Sequence, residues 1–379
     1  MKYFDIKNYI DKNPGCKYYC VVGQRSSGKT YSCLKHGVEE YFKHGSEMGY
    51  VRRWGEDFKG KSGPQLFEAL VVNGEIEKLS GGKYTDVVYW SQRWYFASKD
   101  KSGKLKRADK PFCYAFALTR MQHEKSVSFP NVRTIIFDEF LVGSGFTYLP
   151  NEFMIFCNTL STIIRDRDDV TIYMLANTVN FYNPYAEEMG WINFQKMQPG
   201  DVDIYTYDNE DGESLKVCVI FDEGASKRGK KASDVYFAFD NPQLNMITGR
   251  GTIWELELYP HLPHDYNKTE ILFTYFVKFD NQIFQCEIIN TKKNKETNKT
   301  DSLFTYIHKK TTPLKDEEND LIFCPDYDPR PNHERYINKP ESKLGKRVKD
   351  TLGNFQNVYY QDNMTGLAFE NYLNWCKVN

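Results

Sequence analysis

The chain has 379 residues, a length typical of two or three domains. Hydrophobic residues make up 40% and charged residues 27%, which excludes a wholly disordered chain. With 50 basic and 51 acidic residues the net charge is −1, so any nucleic-acid site must come from local clustering of positive charge.

Targeting signals and paired cysteines are not apparent in the sequence. Asp5, Lys7 and Asp11 interrupt the N-terminal segment, and no run approaches the ~20 apolar residues of a membrane span. The nine cysteines are scattered without a CxxC pair, which predicts reduced, mostly buried thiols rather than a zinc site or disulfides. We therefore expect a cytoplasmic protein without membrane contact.

The first half of the chain alternates between predicted strands and helices. A helix is predicted over 30–45, where Gly45 is a suitable end, and another over 151–166. A polar, basic turn or loop is predicted at 101–110. Strands are predicted at 17–22, 49–53, 87–91, 93–98, 112–118, 134–138 and 170–176. This alternation predicts an α/β domain with a mostly parallel sheet over 1–200.

The second half has a different texture. An acidic, turn-rich stretch and a small basic one predict a linker over 201–235, followed by a smaller α/β or mostly β domain over 236–379. Polar or charged loops are predicted at 290–302, 309–320 and 324–350, and a final helix at 365–377. Strands are predicted at 252–258, 270–279 and 282–290, the last two joined by a turn at Asp280 and Asn281.

The strongest functional motif is GQRSSGKT at 23–30. It matches the phosphate-loop pattern G-x-x-x-x-G-K-[ST] and lies between a predicted strand and a predicted helix. In such a loop the backbone amides surround a phosphate, Lys29 reaches the β- and γ-phosphates, and the Thr30 hydroxyl contacts Mg²⁺. Arg25 adds positive charge there or simply faces solvent. The predicted nucleotide-binding residues are Gly23, Gln24, Arg25, Ser26, Ser27, Gly28, Lys29 and Thr30.

An acidic pair ends the predicted strand at 134–138. Beside a phosphate loop, Asp138 is placed to hold Mg²⁺, and Glu139 to orient and deprotonate an attacking water. Alternatively, the pair only caps the strand at a turn. A glutamate directly after the aspartate favours an ATPase over a small-molecule kinase.

Further polar residues carry weaker signals. Arg165 or Arg167 could reach the γ-phosphate of a neighbouring subunit, or form surface ion pairs. Asn177, at the end of a predicted strand, could sense the γ-phosphate or the attacking water, or form a turn.

A basic group follows the strand at 49–53. Arg52 and Arg53 end that strand, and Lys59 and Lys61 come soon after it. These side chains could track DNA phosphates, or they form an ordinary solvated strand end.

The chain resembles the DNA-packaging (encapsidation) ATPases of small short-tailed phages with protein-primed linear genomes, the Picovirinae type. The resemblance covers about the first 185 residues, in the family's order. It rests on GQRSSGKT, YVRR (50–53), EKSVSFPNVRTIIFDEF (124–140), YLPNE (148–152), IIRDRDDV (163–170) and LANTVNFYNPY (175–185).

The resemblance implies roles for individual residues. Lys29 and Thr30 become the ATP and Mg²⁺ contacts, and Asp138 the Mg²⁺ acid. Glu139 becomes the catalytic carboxylate, and Arg165 the arginine acting on a neighbour's nucleotide. Asn177 matches the polar residue that ends the sensor strand. The family's DNA-contacting lysine falls at Gly55 here, so Lys59 or Lys61, with Arg53, is expected to replace it.

It also implies a fold and partners. The fold is a P-loop (ASCE-type) ATPase domain followed by an inactive RNase H-like domain. Family members form a ring, taken to be a pentamer, on the capsid portal and drive double-stranded DNA into the shell. In some relatives the C-terminal domain docks a packaging RNA. The protein would act in the host cytoplasm on the assembling capsid and be absent from the finished particle.

Two other functions fit the same motifs. One is a P-loop ATPase that acts on protein during secretion or assembly, which double-stranded DNA would not stimulate. The other is a nucleotide-switched adaptor on the capsid, which would bind ATP with almost no turnover. The Asp138–Glu139 pair argues against the adaptor.

Overall fold

A computed structural model describes the chain in segments. These are 3–100, 103–123, 128–143, 148–149, 151–177, 183–208, 213–223, 259–262, 265–280, 282–291, 302–352 and 357–378. The predicted strand at 252–258 and the turn residue Asn281 lie outside them. The chain divides into two compact units, one spanning Met1–Ser144 and Glu152–Glu255, the other Gly145–Asn151 and Leu256–Asn379. No described helix is long and apolar enough to cross a membrane.

The described part of the first unit contains the two helices and seven strands predicted between residues 17 and 176, together with five short helices and three strands that were not predicted. The helices are α1 (Lys7–Lys12), α2 (Lys29–His44), α3 (Ser62–Gln65), α4 (Glu68–Val72), α5 (Glu75–Leu79), α6 (Glu152–Ile164) and α7 (Pro184–Glu188). The strands are β1 (Tyr18–Gly23), β2 (Glu47–Arg52), β3 (Asp86–Trp90), β4 (Arg93–Lys99), β5 (Leu105–Arg107), β6 (Cys113–Ala117), β7 (Val132–Asp138), β8 (Thr171–Asn177), β9 (Val202–Asp208) and β10 (Ser214–Phe221). Short 3₁₀ turns occur at Gly55–Phe58, Leu118–His123 and Phe194–Lys196.

These strands form one mixed sheet in the order β3-β4-β6-β2-β7-β8-β1-β10-β9, with β5 paired to β4. The central strands β6, β2, β7, β8, β1 and β10 are parallel, and β3, β4, β5 and β9 are antiparallel additions. Central strands such as β1 are buried along nearly their whole length, as expected for parallel strands covered on both faces. The α/β fold with a mostly parallel sheet is confirmed.

The linker predicted over 201–235 is wrong in its described part. Strands β9 and β10 occupy this region and extend the first unit's sheet beside β1. Strand β9 was not predicted because it lies at the edge of the sheet, where acidic side chains are tolerated. Its residues alternate between partly buried and exposed, so it has no continuous apolar run. Residues 224–235 lie outside the described part.

The second unit has a sheet of its own, built from β11 (Ile271–Phe279), β12 (Gln282–Thr291), β13 (Ser302–Lys309), β14 (Ile322–Phe323), β15 (His333–Glu334) and β16 (Val358–Tyr360). The strand order is β15-β14-β11-β12-β13-β16. Strands β11, β12 and β13 form an antiparallel meander, β14 adds in parallel to β11, and β16 adds in parallel to β13. The described part of this unit also has a 3₁₀ turn (Lys268–Glu270) and two helices, α8 (Lys343–Leu352) and α9 (Asn363–Val378). This topology agrees with the nuclease-like fold implied by the resemblance.

Two predicted loops contain regular structure. The loop at 324–350 contains most of α8, whose buried positions Gly345, Val348 and Leu352 recur at helical spacing among charged residues. The basic turn at 101–110 contains β5. Neither element was predicted, because few of their residues are apolar and charged residues dominate their sequences.

All nine cysteines are free, and seven are buried; Cys157 and Cys324 are partly exposed. Burial raises the pKa of each of these thiols above its ordinary value.

Candidate active site

The phosphate loop connects the end of β1 to the start of α2. Gly28 precedes the helix with φ of 96°, a left-handed conformation that favours glycine, and no side chain caps the helix. The N–H groups of the first turn therefore keep their hydrogen-bonding capacity and partial positive charge for an anion. Arg25 is exposed, in keeping with a solvent-facing position.

Lys29 lies inside this loop. Its Nζ donates to the carbonyl oxygens of Gly23 at 3.1 Å and Gln24 at 2.6 Å. Burial lowers the pKa of Lys29 from 10.5 to about 8, although the charges of Asp222 and Asp138 oppose this shift. The Lys29 amine is thus held inside the loop, where it could donate a hydrogen bond to a bound phosphate.

Asp138 connects the acidic strand end to the phosphate loop. Its Oδ2 accepts hydrogen bonds from Thr30 Oγ1 at 3.0 Å and from Tyr50 OH at 2.7 Å. A carboxylate and a hydroxyl this close are the hard oxygen ligands that Mg²⁺ prefers, so these residues fit the ion. Tyr50 was not predicted, because a tyrosine within a buried strand has no distinguishing local pattern.

Glu139 follows at a sharp turn of the backbone. Its φ is 59°, an uncommon conformation for a residue with a side chain, and its carboxylate is 57% exposed. Arg52 Nη2 donates to Glu139 Oε2 at 2.6 Å, and Arg52 Nε donates to Asp57 at 3.2 Å. The carboxylate proposed as the base is therefore accessible to a ligand but restrained by Arg52.

The parallel register brings two further residues to this edge of the sheet. Asn177 of β8 pairs directly with Gly23 of β1. On the other side of β1, Asp222 donates its backbone N–H to Val22 at 2.8 Å, and its side chain is buried. A Cβ at Gly23 would lie 2.7 Å from that of Asp222, so only glycine fits there. Asp222 was not predicted because it follows the strand hidden in the expected linker.

The two arginines after α6 have different environments. Arg167 donates to the carbonyls of Ile164 at 3.0 Å, Val132 at 2.6 Å and Phe129 at 3.1 Å, so it fastens the end of α6 to the start of β7. Arg165 is exposed. Both precede the seven-residue strand β8, which separates them from its carboxyl end by about 20 Å. Arg165 therefore lies at the sheet edge opposite the phosphate loop.

The prediction that Arg53 contacts DNA is wrong. Arg53 is buried, and its Nε and Nη2 donate to the two carboxylate oxygens of Glu152 at 2.7 and 2.8 Å. Tyr185 OH donates to the same carboxylate at 2.6 Å. Three segments of the family resemblance, YVRR, YLPNE and NPY, thus meet in one buried network. Lys59 and Lys61 are exposed, and their DNA contact stays a prediction.

We expect Arg53→Met to lower the free energy of unfolding by about 3–5 kcal/mol, because it leaves the fully buried Glu152 carboxylate without its charged partner. Calorimetry of the first unit's thermal transition measures the loss, and Arg53→Met combined with Glu152→Leu should recover part of it. Lys59→Met, which breaks an exposed pair with Glu56, is the control and should leave the transition in place. A single Arg53→Met variant as stable as the parent would contradict the assignment.

A phosphate loop at the end of a central parallel strand, with an acidic strand end beside it, defines a protein of the P-loop ATPase fold. The profile of the family described as "Podovirus DNA encapsidation protein (Gp16)" matches residues 3–193. The chain belongs to this family, and the resemblance drawn from its motifs is confirmed.

Similar proteins include two "DNA packaging protein" sequences. That of Bacillus phage B103 is 31% identical over 179 residues, covering 45% of this chain and 47% of the relative. That of Bacillus phage phi29 is 32% identical over 166 residues, covering 44% of each. The chain thus matches about half the length of these curated relatives.

Solved structures extend the similarity of fold to the whole chain. "The Phi-28 gp11 DNA packaging Motor" has a TM-score of 0.56 at 21% identity, covering 100% of this chain and 98% of that one. "The bacteriophage Phi-29 viral genome packaging motor assembly" has a TM-score of 0.51 at 18% identity, covering 97% and 98%.

Proposed function

We propose that this protein is an ATP-driven motor that moves double-stranded viral DNA into a preformed capsid, with ATP hydrolysed between subunits of a ring. The observation that carries the proposal is the placement of the site residues on two edges of one sheet. The phosphate loop and Glu139 share one edge, and Arg165 lies on the other. A second copy must therefore bring its own Arg165 to the nucleotide. Family membership supports the same assembly.

In this proposal the chain's own groups perform most of the chemistry. The loop amides and Lys29 bind the phosphates, while Thr30 and Asp138 would hold Mg²⁺, which neutralises phosphate charge when bound. Glu139, once released from Arg52, takes a proton from a water whose oxygen attacks the γ-phosphorus, and the bond to the ADP oxygen breaks. Asn177 is placed to orient that water.

Partners follow from exposed positive charge and from the family. Lys59 and Lys61, near the carboxyl end of β2, are proposed to contact DNA phosphates. In the second unit, α8 exposes Lys343, Lys346, Arg347 and Lys349, a surface suited to docking a nucleic acid such as a packaging RNA. The ring, proposed as a pentamer, would sit on the portal of the assembling capsid in the host cytoplasm.

The test is steady-state ATP hydrolysis over a range of protein concentrations, with and without double-stranded DNA, against Glu139→Gln as the blank. We expect DNA to stimulate turnover and the rate to rise more steeply than linearly with protein. Turnover that ignores DNA at every concentration would favour an ATPase acting on protein. ATP binding without turnover above the blank would favour the adaptor.

The lowered pKa of Lys29 predicts a pH dependence of ATP binding. Above pH 8 the free chain carries a neutral amine, which must take up a proton to pair with phosphate, so the Kd for ATP should rise about tenfold per pH unit. Calorimetry in buffers of different ionisation enthalpy measures the proton uptake. Lys29→Arg, whose guanidinium stays charged, is the control and should show no such slope. A flat Kd for the parent from pH 8 to 9.5 would contradict the assignment.

A further inference from the structure

The phosphate loop constrains where the rest of a nucleotide can go. Its γ-phosphate end must face Asp138 and Glu139, because the hydrolytic groups lie there. The α-phosphate is received by the backbone amides at the start of α2. The nucleoside therefore leaves the loop on the side away from β7, past Gly28 and Tyr31. This step rests on the proposed function.

On that side the chain's N-terminal segment is fixed to the loop. Phe4 donates its backbone N–H to Ser27 at 3.0 Å, and Ile6 donates its backbone N–H to Ser32 Oγ at 2.9 Å. The side chains of Phe4 and Ile6 are buried in the core, which anchors the segment. The backbone of residues 4–6 is thus held in register with the first turn of α2.

This attachment places an aromatic ring beside the phosphate loop. Atoms Cβ and Cδ1 of Tyr3 lie 3.5 Å from the position that a Cβ would take at Gly28, yet the residue is 55% exposed. Its uncovered surface is available to an apolar, planar ligand.

A cavity of about 610 Å³ opens between this segment and α2. Tyr3 and Tyr31 contribute aromatic walls, while Lys35 and Asn73 add polar groups. Asn73 Nδ2 donates to Tyr31 OH at 3.2 Å, which restrains the second ring. The volume is ample for a nucleoside, and few precisely placed polar groups on aromatic walls are typical of small-molecule sites.

A second cavity of about 450 Å³ lies on the other side of the same segment and also includes Tyr3. Its wall carries the carboxylates of Asp222 and Glu223, and Ile204 lines it from β9.

The first cavity also holds two carboxylates, those of Asp5 and Glu39, which the ammonium groups of Lys7 and Lys35 balance. The second cavity adds the carboxylate of Asp5 and has a single lysine, Lys12, so its excess of negative charge would repel a polyphosphate. This cavity is the less suitable one for the nucleoside of ATP.

We propose that the purine base of ATP stacks on Tyr3 in the cavity shared with Tyr31. Stacking uses the ring face common to all bases, so it supplies affinity for the nucleoside with little choice between adenine and guanine. The N-terminal segment, which precedes the motif that binds phosphate, is thereby part of the nucleotide site.

The test compares ATP with inorganic tripolyphosphate, which has the phosphates without the nucleoside. Both are titrated with Mg²⁺ into the full chain carrying Glu139→Gln, so that ATP survives the measurement. We expect Tyr3→Ala to weaken ATP about tenfold or more and leave tripolyphosphate unchanged, and Tyr3→Phe to retain the parent affinity. Tyr31→Ala should act in the same direction, and Ile204→Ala should have no effect.

Three results would overturn the assignment. Unchanged ATP affinity in Tyr3→Ala, with tripolyphosphate still bound, removes the base from Tyr3 while leaving the proposed function intact. Equal losses for ATP and tripolyphosphate would make Tyr3 a support of the loop. A loss in Ile204→Ala but not in Tyr31→Ala would place the base in the second cavity. If the parent bound neither ligand, the proposed function would fail as well.

Discussion

Replacing Glu139 by glutamine is expected to lower kcat for ATP hydrolysis by about 10²–10⁴-fold while ATP still binds. The amide keeps the shape of the side chain and can still accept a bond from Arg52, but it cannot take a proton from water. The proposed Mg²⁺ ligands Thr30 and Asp138 are untouched, so the phosphates should keep their contacts. Single-turnover hydrolysis and equilibrium binding, measured on the same preparation, separate the two effects.

Glu56→Gln is the matched control for this variant. Glu56 is an exposed carboxylate in the 3₁₀ turn that follows β2, and its ion pairs are with Lys59 and Arg120 rather than with the residues proposed to bind or hydrolyse ATP. We expect it to hydrolyse ATP at the parent's rate. If Glu139→Gln retained that rate as well, Glu139 would not be the base.

Replacing Arg165 by alanine is expected to lower kcat by about 10³–10⁵-fold, with no loss of ATP affinity in the isolated chain. The reason is the position of Arg165 at the sheet edge opposite the phosphate loop, from which it would serve a neighbour's nucleotide in the proposed ring. The measurement is hydrolysis in the assembled state together with ATP binding to the dilute chain. Arg167→Ala, which removes a structural tie between α6 and β7, should instead lower thermal stability.

Mixing two inactive variants tests the sharing of sites directly. An interface formed by the Glu139 of an Arg165→Ala subunit and the Arg165 of a Glu139→Gln subunit is complete. With random assembly in a ring, about one quarter of the interfaces would be of this kind, so activity should return to that order. A mixture as inactive as its components would show that both residues serve the same subunit's nucleotide.

The sequence predicted the parts of this molecule that depend on local order. The phosphate loop and the acidic pair are contiguous motifs at a strand end, and the alternation of apolar runs is enough to predict the central sheet. The register then brings Gly23, Asp138 and Asn177 to one edge, as the resemblance implies.

Features that depend on distant contacts were missed or misassigned. The prediction that Arg53 contacts DNA fails because its partner Glu152 is distant in the sequence, and the neighbouring residues do not show that its charge is neutralised inside the fold. Tyr50 and Asp222 reach the site only through strand pairing, so they have no signature of their own. The residues alone leave Arg165 and Arg167 as alternatives, and the resemblance favours Arg165; the structure adds that Arg167 donates to backbone carbonyls.

The raised pKa values of the nine thiols have a practical consequence for labelling this protein. At neutral pH these groups are overwhelmingly protonated, and protonated thiols react slowly with maleimides. A single new cysteine at the 80% exposed position of Tyr327 should react ahead of the seven buried native thiols. With the two partly exposed native thiols, Cys157 and Cys324, replaced, a fluorophore could be attached at this one chosen point while the seven buried cysteines of the core stay as they are.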